Sequence, residues 1–97
     1  MRAKLTDDQI RTELKTLGGW AREGEALSKT FTFTRFADGI AFVQRVATAA
    51  DAADHHPDID IRYTKIRITL STHDAGGITA ADVSLARQID PLVKAKK

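Results

Sequence analysis

The chain contains no cysteine, no long apolar run and no strong excess of charge of either sign. Without cysteine, disulfides, thiolate metal sites and a cysteine nucleophile are excluded. No apolar run reaches membrane length and no apolar signal region follows Met1, so we expect a cytoplasmic protein with no membrane partner. The 15 Lys and Arg residues are nearly balanced by 13 Asp and Glu residues, and the charges are dispersed. That balance predicts no nucleic-acid partner.

The length of 97 residues limits the chain to one domain, which we expect to span residues 1–97. A core of this size is large enough for independent folding, but small domains bury a lower fraction of their surface than larger ones. Association with further copies would add buried surface. We therefore expect a homo-oligomer, either a homodimer or a homotetramer.

A capping box predicts where the first helix begins. Thr6 and Gln9 have the spacing at which the two side chains satisfy each other's backbone N–H groups. Apolar residues then recur at helical spacing, and residues 18–19 are glycines, which tolerate the left-handed conformation common at helix ends. The first helix is therefore predicted over about residues 7–17.

The middle of the chain predicts a longer helix. Thr34 is placed to cap its start, and apolar residues recur at helical spacing from there to about Ala53. Asp51 then falls in the last helical turn. Pro57 cannot continue a helix and favours extended backbone at the preceding residue. The two histidines before Pro57 therefore form the exit from helix to strand.

A second capping box, formed by Thr79 and Asp82, predicts the start of the last helix. This helix should run from about residue 80 to 90, with Val93 continuing its apolar face and Pro91 kinking it or ending its regular part. Asp82 stands in the first turn, where a carboxylate caps backbone N–H groups and complements the helix dipole. We therefore interpret Asp82 mainly as a structural residue.

Period-two alternation of apolar and polar residues predicts two β-hairpins. The first occupies about residues 20–33 with its turn at 23–25, and the second joins strands at 59–63 and 66–70 through residues 64–65. The order helix, two strands, helix, two strands, helix predicts an α+β fold. Its economical form is a four-stranded antiparallel sheet with the three helices packed on one face.

All three histidines of the chain, His55, His56 and His73, lie within one short span. Histidine is the side chain whose ordinary pKa, about 6.5, lets it give or take a proton near neutral pH. Their clustering therefore predicts acid–base chemistry at one site. From composition, periodicity and spacing alone, the sequence indicates an α+β domain with a histidine cluster.

The histidines belong to a longer pattern of fixed spacing, formed by Asp51, His55, His56, Pro57, Tyr63, His73 and Asp82. In this pattern the chain resembles the pterin-4a-carbinolamine dehydratases. The resemblance continues outside the pattern, in Gly19-Trp20 and in the run at residues 68–74. Asp51 and Asp74 stand where that family more often has Glu.

The resemblance implies a hydro-lyase that dehydrates 4a-hydroxytetrahydrobiopterin to quinonoid dihydropterin, in tetrahydrobiopterin recycling after an aromatic amino acid hydroxylase. It implies a pterin substrate, no metal or redox cofactor, and oligomers that pair sheets edge to edge. The implied catalytic residues are His55, His56 and His73. The implied pterin-binding residues are Asp51, Asp54, Ser71, Thr72 and Asp74.

Within this site we place His55 and His73 ahead of His56, without dividing acid from base among them. Adjacent residues of an extended segment point to opposite sides, so His55 and His56 face one ligand only if the chain turns there. Asp51 lies one helical turn before His55 and is expected to accept a hydrogen bond from an imidazole N–H. Tyr63 is assigned to the core or to an interface.

A metal site formed by the three histidines and an aspartate is one alternative, because these side chains are acceptable ligands. The spacing argues against it, since adjacent histidines rarely bind one ion and no His-x-x-x-His motif is present. We therefore expect no metal. The metal content of the purified protein separates the two hypotheses.

A non-catalytic role in protein interaction or dimerisation is the other alternative. Relatives with this fold serve as dimerisation partners of a transcription factor or as assembly factors for a carboxylating enzyme, and such roles would use helix faces. Degenerate relatives are expected to lose positions of the pattern, whereas this chain retains all three histidines. Their retention favours the enzyme.

Overall fold

The structure, a computed structural model, describes residues 3–94 and contains the predicted order of elements. The helices and strands are α1 (Asp7–Leu14), β1 (Ala21–Glu23), β2 (Ala26–Thr32), α2 (Phe36–Ala53), β3 (Asp58–Arg62), β4 (Lys65–Leu70) and α3 (Ala80–Ile89). Two short 3₁₀ turns, His73–Ala75 and Asp90–Val93, stand before and after α3. Residues 1, 2 and 95–97 of the predicted domain lie outside the described residues. The predicted α+β fold class is confirmed.

The four strands form one antiparallel sheet in the order β1-β2-β4-β3. Leu27 pairs with Leu70, and Phe31 pairs with Ile66, and these four apolar side chains are buried. Opposed residues in a ladder project to the same face, and side chains alternate between faces along a strand. The sheet therefore has one apolar face, and the polar residues between these positions lie on the other.

The helices cover the apolar face of the sheet. Phe42 and Val46 of α2, and Leu85 and Ile89 of α3, belong to the same buried cluster as the sheet residues. The ring of Phe42 lies 4.8 Å from that of Phe31 on β2. No helix within residues 3–94 is long and apolar enough to cross a membrane. Packing on a common sheet face fixes the positions of α2 and α3 relative to the sheet.

Both predicted capping boxes are present. The Thr6 hydroxyl accepts from the Gln9 N–H at 3.1 Å, and the Gln9 side chain accepts from the Thr6 N–H at 2.8 Å. Thr79 and Asp82 form the corresponding box at the start of α3. Pro91 follows the end of α3, where the chain continues as a 3₁₀ turn. These helix boundaries were predicted correctly.

The first helix is shorter than predicted, ending at Leu14 rather than near residue 17. The N–H groups of residues 15–17 donate to carbonyls three residues earlier instead of four. Such bonds tighten the end of a helix into 3₁₀ geometry. Leu17 is nevertheless buried. Its apolar side chain therefore indicated a place in the core and not a place within the helix.

Two other predictions at helix ends were wrong. Arg35, not Thr34, occupies the N-cap of α2, and no side chain caps it. The first bond of the helix runs from the Gly39 N–H to the Arg35 carbonyl, one residue later than predicted. Val93 was placed on the apolar face after α3 but is 39% exposed, because regular helical spacing stops at Ile89.

The turn of the second hairpin lies one residue earlier than predicted. Arg62 pairs with Lys65, which leaves Tyr63 and Thr64 as the two-residue loop. Tyr63 takes a left-handed φ of 52°, its side chain is 74% exposed, and its ring stacks 6.4 Å from that of Phe36. Tyr63 therefore does not belong to the core. Of the two predicted locations for Tyr63, core and interface, only the interface stays as a prediction.

Candidate active site

The carboxyl end of α2 carries Asp51 and delivers the two adjacent histidines. Asp54 follows the helix in the left-handed conformation, with φ 50° and ψ 43°. The Asp54 N–H donates to the Asp51 carbonyl at 3.2 Å, and the His55 N–H donates to the Ala50 carbonyl at 3.1 Å. Together these bonds form a Schellman arrangement, which turns the chain sharply. The turn allows His55 and His56 to border the same cleft.

The His55 side chain is buried against a buried carboxylate. Its Nε2 lies 2.6 Å from Oδ1 of Asp82, and the two side chains are 7% and 0% exposed. Oδ2 of Asp82 accepts from the Thr72 hydroxyl and from the Thr79 N–H, each at 2.8 Å. An ionised carboxylate only accepts, so Nε2 of His55 donates to it. This bond fixes the orientation of the imidazole.

The sequence interpretation of Asp82 as mainly structural was incomplete. Asp82 does cap α3, through Oδ2, but Oδ1 holds His55. The two residues are 27 positions apart, so neither helical nor strand periodicity connects them. The sequence feature that indicated a role for Asp82 beyond helix capping was its place as the last member of the spacing pattern.

His56 and Asp51 form a second pair at the surface. Nε2 of His56 lies 2.9 Å from Oδ1 of Asp51, and the side chains are 60% and 78% exposed. Asp51 therefore contacts an imidazole, as predicted, and that imidazole is His56. The contact holds the ring of His56 near the last turn of α2.

A short loop after β4 carries the third histidine. Thr72 pairs with Gly77 across the base of this loop, with 2.8 Å between the Thr72 nitrogen and the Gly77 oxygen. Gly76 closes the intervening 3₁₀ turn with a φ of 75°, a conformation that suits glycine. His73 and Asp74 begin the turn and are exposed. The bridge at the loop base restrains the backbone that carries both side chains.

These segments meet at one cleft of about 260 Å³, lined by Asp54, His55, His56, Ser71, Thr72, His73 and Asp74. Every lining residue is a predicted site residue. Asp51 stands outside the lining and contacts its member His56. The Ser71 hydroxyl donates to the Glu25 carbonyl at 2.8 Å, which ties the cleft to the first hairpin. A larger cleft of about 410 Å³ lies between α1 and α3, away from the histidines.

The cleft offers imidazoles in two different environments and carboxylates beside them. His55 is shielded from water, while His56 and His73 are exposed. These imidazoles and carboxylates can donate protons to a small ligand and accept protons from it. Within residues 3–94, no group of three or more His, Cys, Asp or Glu side chains is arranged to hold a metal ion.

The sequence matches one protein family along most of its length. Residues 3–92 match the family described as pterin 4 alpha carbinolamine dehydratase. A protein of Roseiflexus castenholzii, named "Putative pterin-4-alpha-carbinolamine dehydratase", is 52% identical over 93 residues. This similarity covers 96% of the chain and 100% of that protein.

Two solved structures are similar in both fold and sequence. The crystal structure of a transcriptional coactivator/pterin dehydratase from Brucella melitensis gives a TM-score of 0.90 at 30% identity, covering 94% of this chain and 99% of that one. A pterin dehydratase-like protein, identified as a RuBisCO assembly factor in the alpha-carboxysome, gives a TM-score of 0.67 at 27% identity. That second similarity covers 80% of this chain and 93% of the other.

Proposed function

Because the chain belongs to the pterin 4 alpha carbinolamine dehydratase family, we propose that it is a hydro-lyase acting on 4a-hydroxytetrahydropterin. The reaction removes water and gives quinonoid dihydropterin. With a biopterin substrate, this step belongs to tetrahydrobiopterin recycling after an aromatic amino acid hydroxylase has turned over. The observation that carries the proposal is the meeting of His55, His56 and His73 at one cleft.

The proposed reaction needs one proton delivered and one proton removed. The hydroxyl on C4a leaves as water when it receives a proton, while N5 forms a double bond to C4a and releases its own proton. No net proton or electron is consumed. Imidazoles on two separate segments suit both transfers, and a positioned group contributes roughly 10²- to 10⁴-fold to the rate.

We assign these proton transfers first to His55 and His73, which approach the cleft from different segments. His55 is held by Asp82, 2.6 Å from its ring, and both side chains are buried. His73 approaches from the loop after β4. His56 is the third proposed catalytic histidine, and it approaches the cleft from the same segment as His55.

Three of the remaining polar residues of the cleft, Asp54, Ser71 and Asp74, are proposed to bind the pterin ring. Asp54 and Asp74 are exposed carboxylates that can accept hydrogen bonds from ring N–H groups. Ser71 borders the cleft between its two walls. Asp51 acts through His56, and Thr72 borders the cleft with a buried side chain.

We also propose that the protein works as a homodimer or a homotetramer. The edge strands β1 and β3 each have one unpaired side within the chain. Ile61 on β3 is 41% exposed and stands two residues before the exposed Tyr63. A native molecular mass equal to that of the monomer would contradict this part of the proposal.

A non-catalytic interaction role is the second candidate function. It is supported by the likeness to the RuBisCO assembly factor, at a TM-score of 0.67, and by the exposed stack of Phe36 on Tyr63. Such a role does not require histidines in a cleft. Enzymatic turnover by the purified protein therefore separates the two candidates.

The test measures the loss of freshly generated 4a-hydroxytetrahydropterin by its absorbance, with and without the protein. We expect wild-type protein to accelerate the loss, and His73→Ala to reduce the acceleration by about 10²-fold. His73 is exposed, so its replacement should leave the fold intact. The control variant is Gln44→Ala, an exposed change on α2 outside the cleft, which should retain full activity. No acceleration by folded wild-type protein would reject the dehydratase and favour the interaction role.

A further inference from the structure

Thr72 stands at the centre of a buried hydrogen-bond chain behind the cleft, and its side chain is 1% exposed. Its Oγ1 lies 2.7 Å from Oγ1 of Thr79 and 2.8 Å from Oδ2 of Asp82. Asp82 holds His55 through its other carboxylate oxygen, 2.6 Å from Nε2. The hydroxyl of Thr72 is therefore connected to the imidazole through a single intervening side chain.

The direction of this chain follows from the protons that its members can donate. A hydroxyl has one proton to donate, and an ionised carboxylate has none. The Thr72 proton therefore goes to Asp82, and Thr79 donates its proton to the Thr72 oxygen. Oγ1 of Thr79 in turn accepts from the Ala81 N–H at 3.2 Å. Within residues 3–94, every buried side-chain nitrogen and oxygen has a partner.

This arrangement restrains Asp82 at both of its oxygens. The two oxygens belong to one planar group, so a bond that fixes Oδ2 also sets the direction of Oδ1. Oδ2 has two donors, the Thr72 hydroxyl and the Thr79 N–H. Without the hydroxyl, the carboxylate can rotate about the remaining N–H bond. This rotation would shift the His55 ring, because Nε2 of His55 is bonded to Oδ1.

We propose that the Thr72 hydroxyl positions His55 through Asp82 and does not contact the pterin. This role replaces the pterin contact that the sequence resemblance implied for the Thr72 side chain. Its kinetic consequence rests on the proposed dehydratase function. The orientation of the His55 ring can be observed without that function, so the two proposals can fail separately.

The test compares Thr72→Val, which keeps the shape and removes the hydroxyl, with Thr72→Ser, which keeps the hydroxyl. We expect Thr72→Val to move the ¹⁵N and ¹H signals of the His55 ring and to leave those of His73 in place. The same variant should lose about tenfold in kcat, with KM unchanged and the pH profile of kcat displaced. Thr72→Ser should stay within about twofold of wild type in kcat. Thr30→Val is the matched control, since it makes the same change on the exposed sheet face.

Unchanged His55 ring signals in folded Thr72→Val would overturn the proposal. A raised KM with unchanged kcat would also overturn it, because that result identifies a substrate contact. Thr72→Ala repeats the test if the valine variant does not fold, because it places no extra methyl group against the carboxylate. If wild-type protein does not dehydrate the carbinolamine, the ring signals still decide whether Thr72 orients His55.

Discussion

The two adjacent histidines each contact an aspartate, yet their environments differ in almost every physical respect. His55 and Asp82 are 7% and 0% exposed with 2.6 Å between Nε2 and Oδ1, whereas His56 and Asp51 are 60% and 78% exposed with 2.9 Å. The aspartate of the first pair is 27 residues away, and that of the second is five residues away. The first contact depends on packing of the whole domain, and the second is local.

Exposure to water decides what each pair contributes to stability. An exposed ion pair contributes about 0–1 kcal/mol, because water solvates both groups when they separate. Removing one member of a buried hydrogen-bonded pair costs about 1–3 kcal/mol, and more when a charge is involved, because the other member stays buried without its partner. Neighbouring positions in a motif therefore do not have equivalent roles. Contacts within the protein determine the geometry of His55, whereas water also contacts the side chain of His56.

The largest difference should appear when the two aspartates are changed in the same way. We expect Asp82→Asn to lower the free energy of unfolding by about 3 kcal/mol, because it disturbs His55, Thr72 and the α3 cap together. Asp51→Asn should lower it by less than about 1 kcal/mol. Urea unfolding followed by fluorescence of the buried Trp20 measures both values. Equal losses would mean that burial does not distinguish the pairs.

The next largest difference should appear in catalysis when the two histidines are changed. If the dehydratase proposal holds, His55→Gln should lower kcat by about 10²-fold, because a held proton-transfer group is removed. His56→Gln should lower kcat by about tenfold or less, since water has access to the same position. Steady-state dehydration rates for the two folded variants provide the comparison. A greater loss in the His56 variant would reverse the ranking of the two histidines.

The smallest effect is expected from surface charges remote from both pairs. Arg22 lowers the pKa of the Asp7 carboxyl by a hydrogen bond and by its charge, and Lys4, followed by Arg22, lowers the pKa of Glu25. A carboxyl with a lowered pKa in the folded state stabilises the protein above its unfolded pKa, and this stabilisation is lost as pH falls through the folded pKa. Arg22→Gln should therefore be less stable than wild type at neutral pH.

The control for this last prediction is the same comparison in acid. The difference between Arg22→Gln and wild type should shrink as the pH falls from about 4 through the lowered pKa values of Asp7 and Glu25, because both carboxyls become protonated over that range. Urea midpoints at several pH values measure it. Asp51→Asn should change the stability by an amount similar to that of Arg22→Gln. A stability difference between Arg22→Gln and wild type that persists in acid would assign another role to Arg22.

Local patterns predicted most of the fold. The capping boxes at Thr6 and Thr79 located two helix starts, because the side-chain bonds that define them span only three residues. The N-cap of α2 was misplaced because Arg35 takes the position without any side-chain bond that a sequence could reveal. The loop at Tyr63 was misplaced because strand register, not residue preference, selects it.

The spacing pattern and the resemblance predicted the residues that line the cleft, but they did not predict the contacts among those residues. The cleft brings together the two segments that contain the three histidines. The contact of His55 with Asp82 depends on how α3 packs against the sheet, which no local pattern contains. The buried position of Thr72 behind the cleft follows from the same packing.

The carboxylate of Asp82 makes the start of α3 and the orientation of His55 a single structural unit. Fraying of the first helical turn releases the Thr79 N–H from Asp82 and loosens the contact between Asp82 and His55 in the same event. Amide hydrogen exchange at Thr79 therefore reports on how often the contact between His55 and Asp82 opens. A ligand that restrains His55 from the cleft would slow this exchange, although α3 contributes no residue to the lining of the cleft.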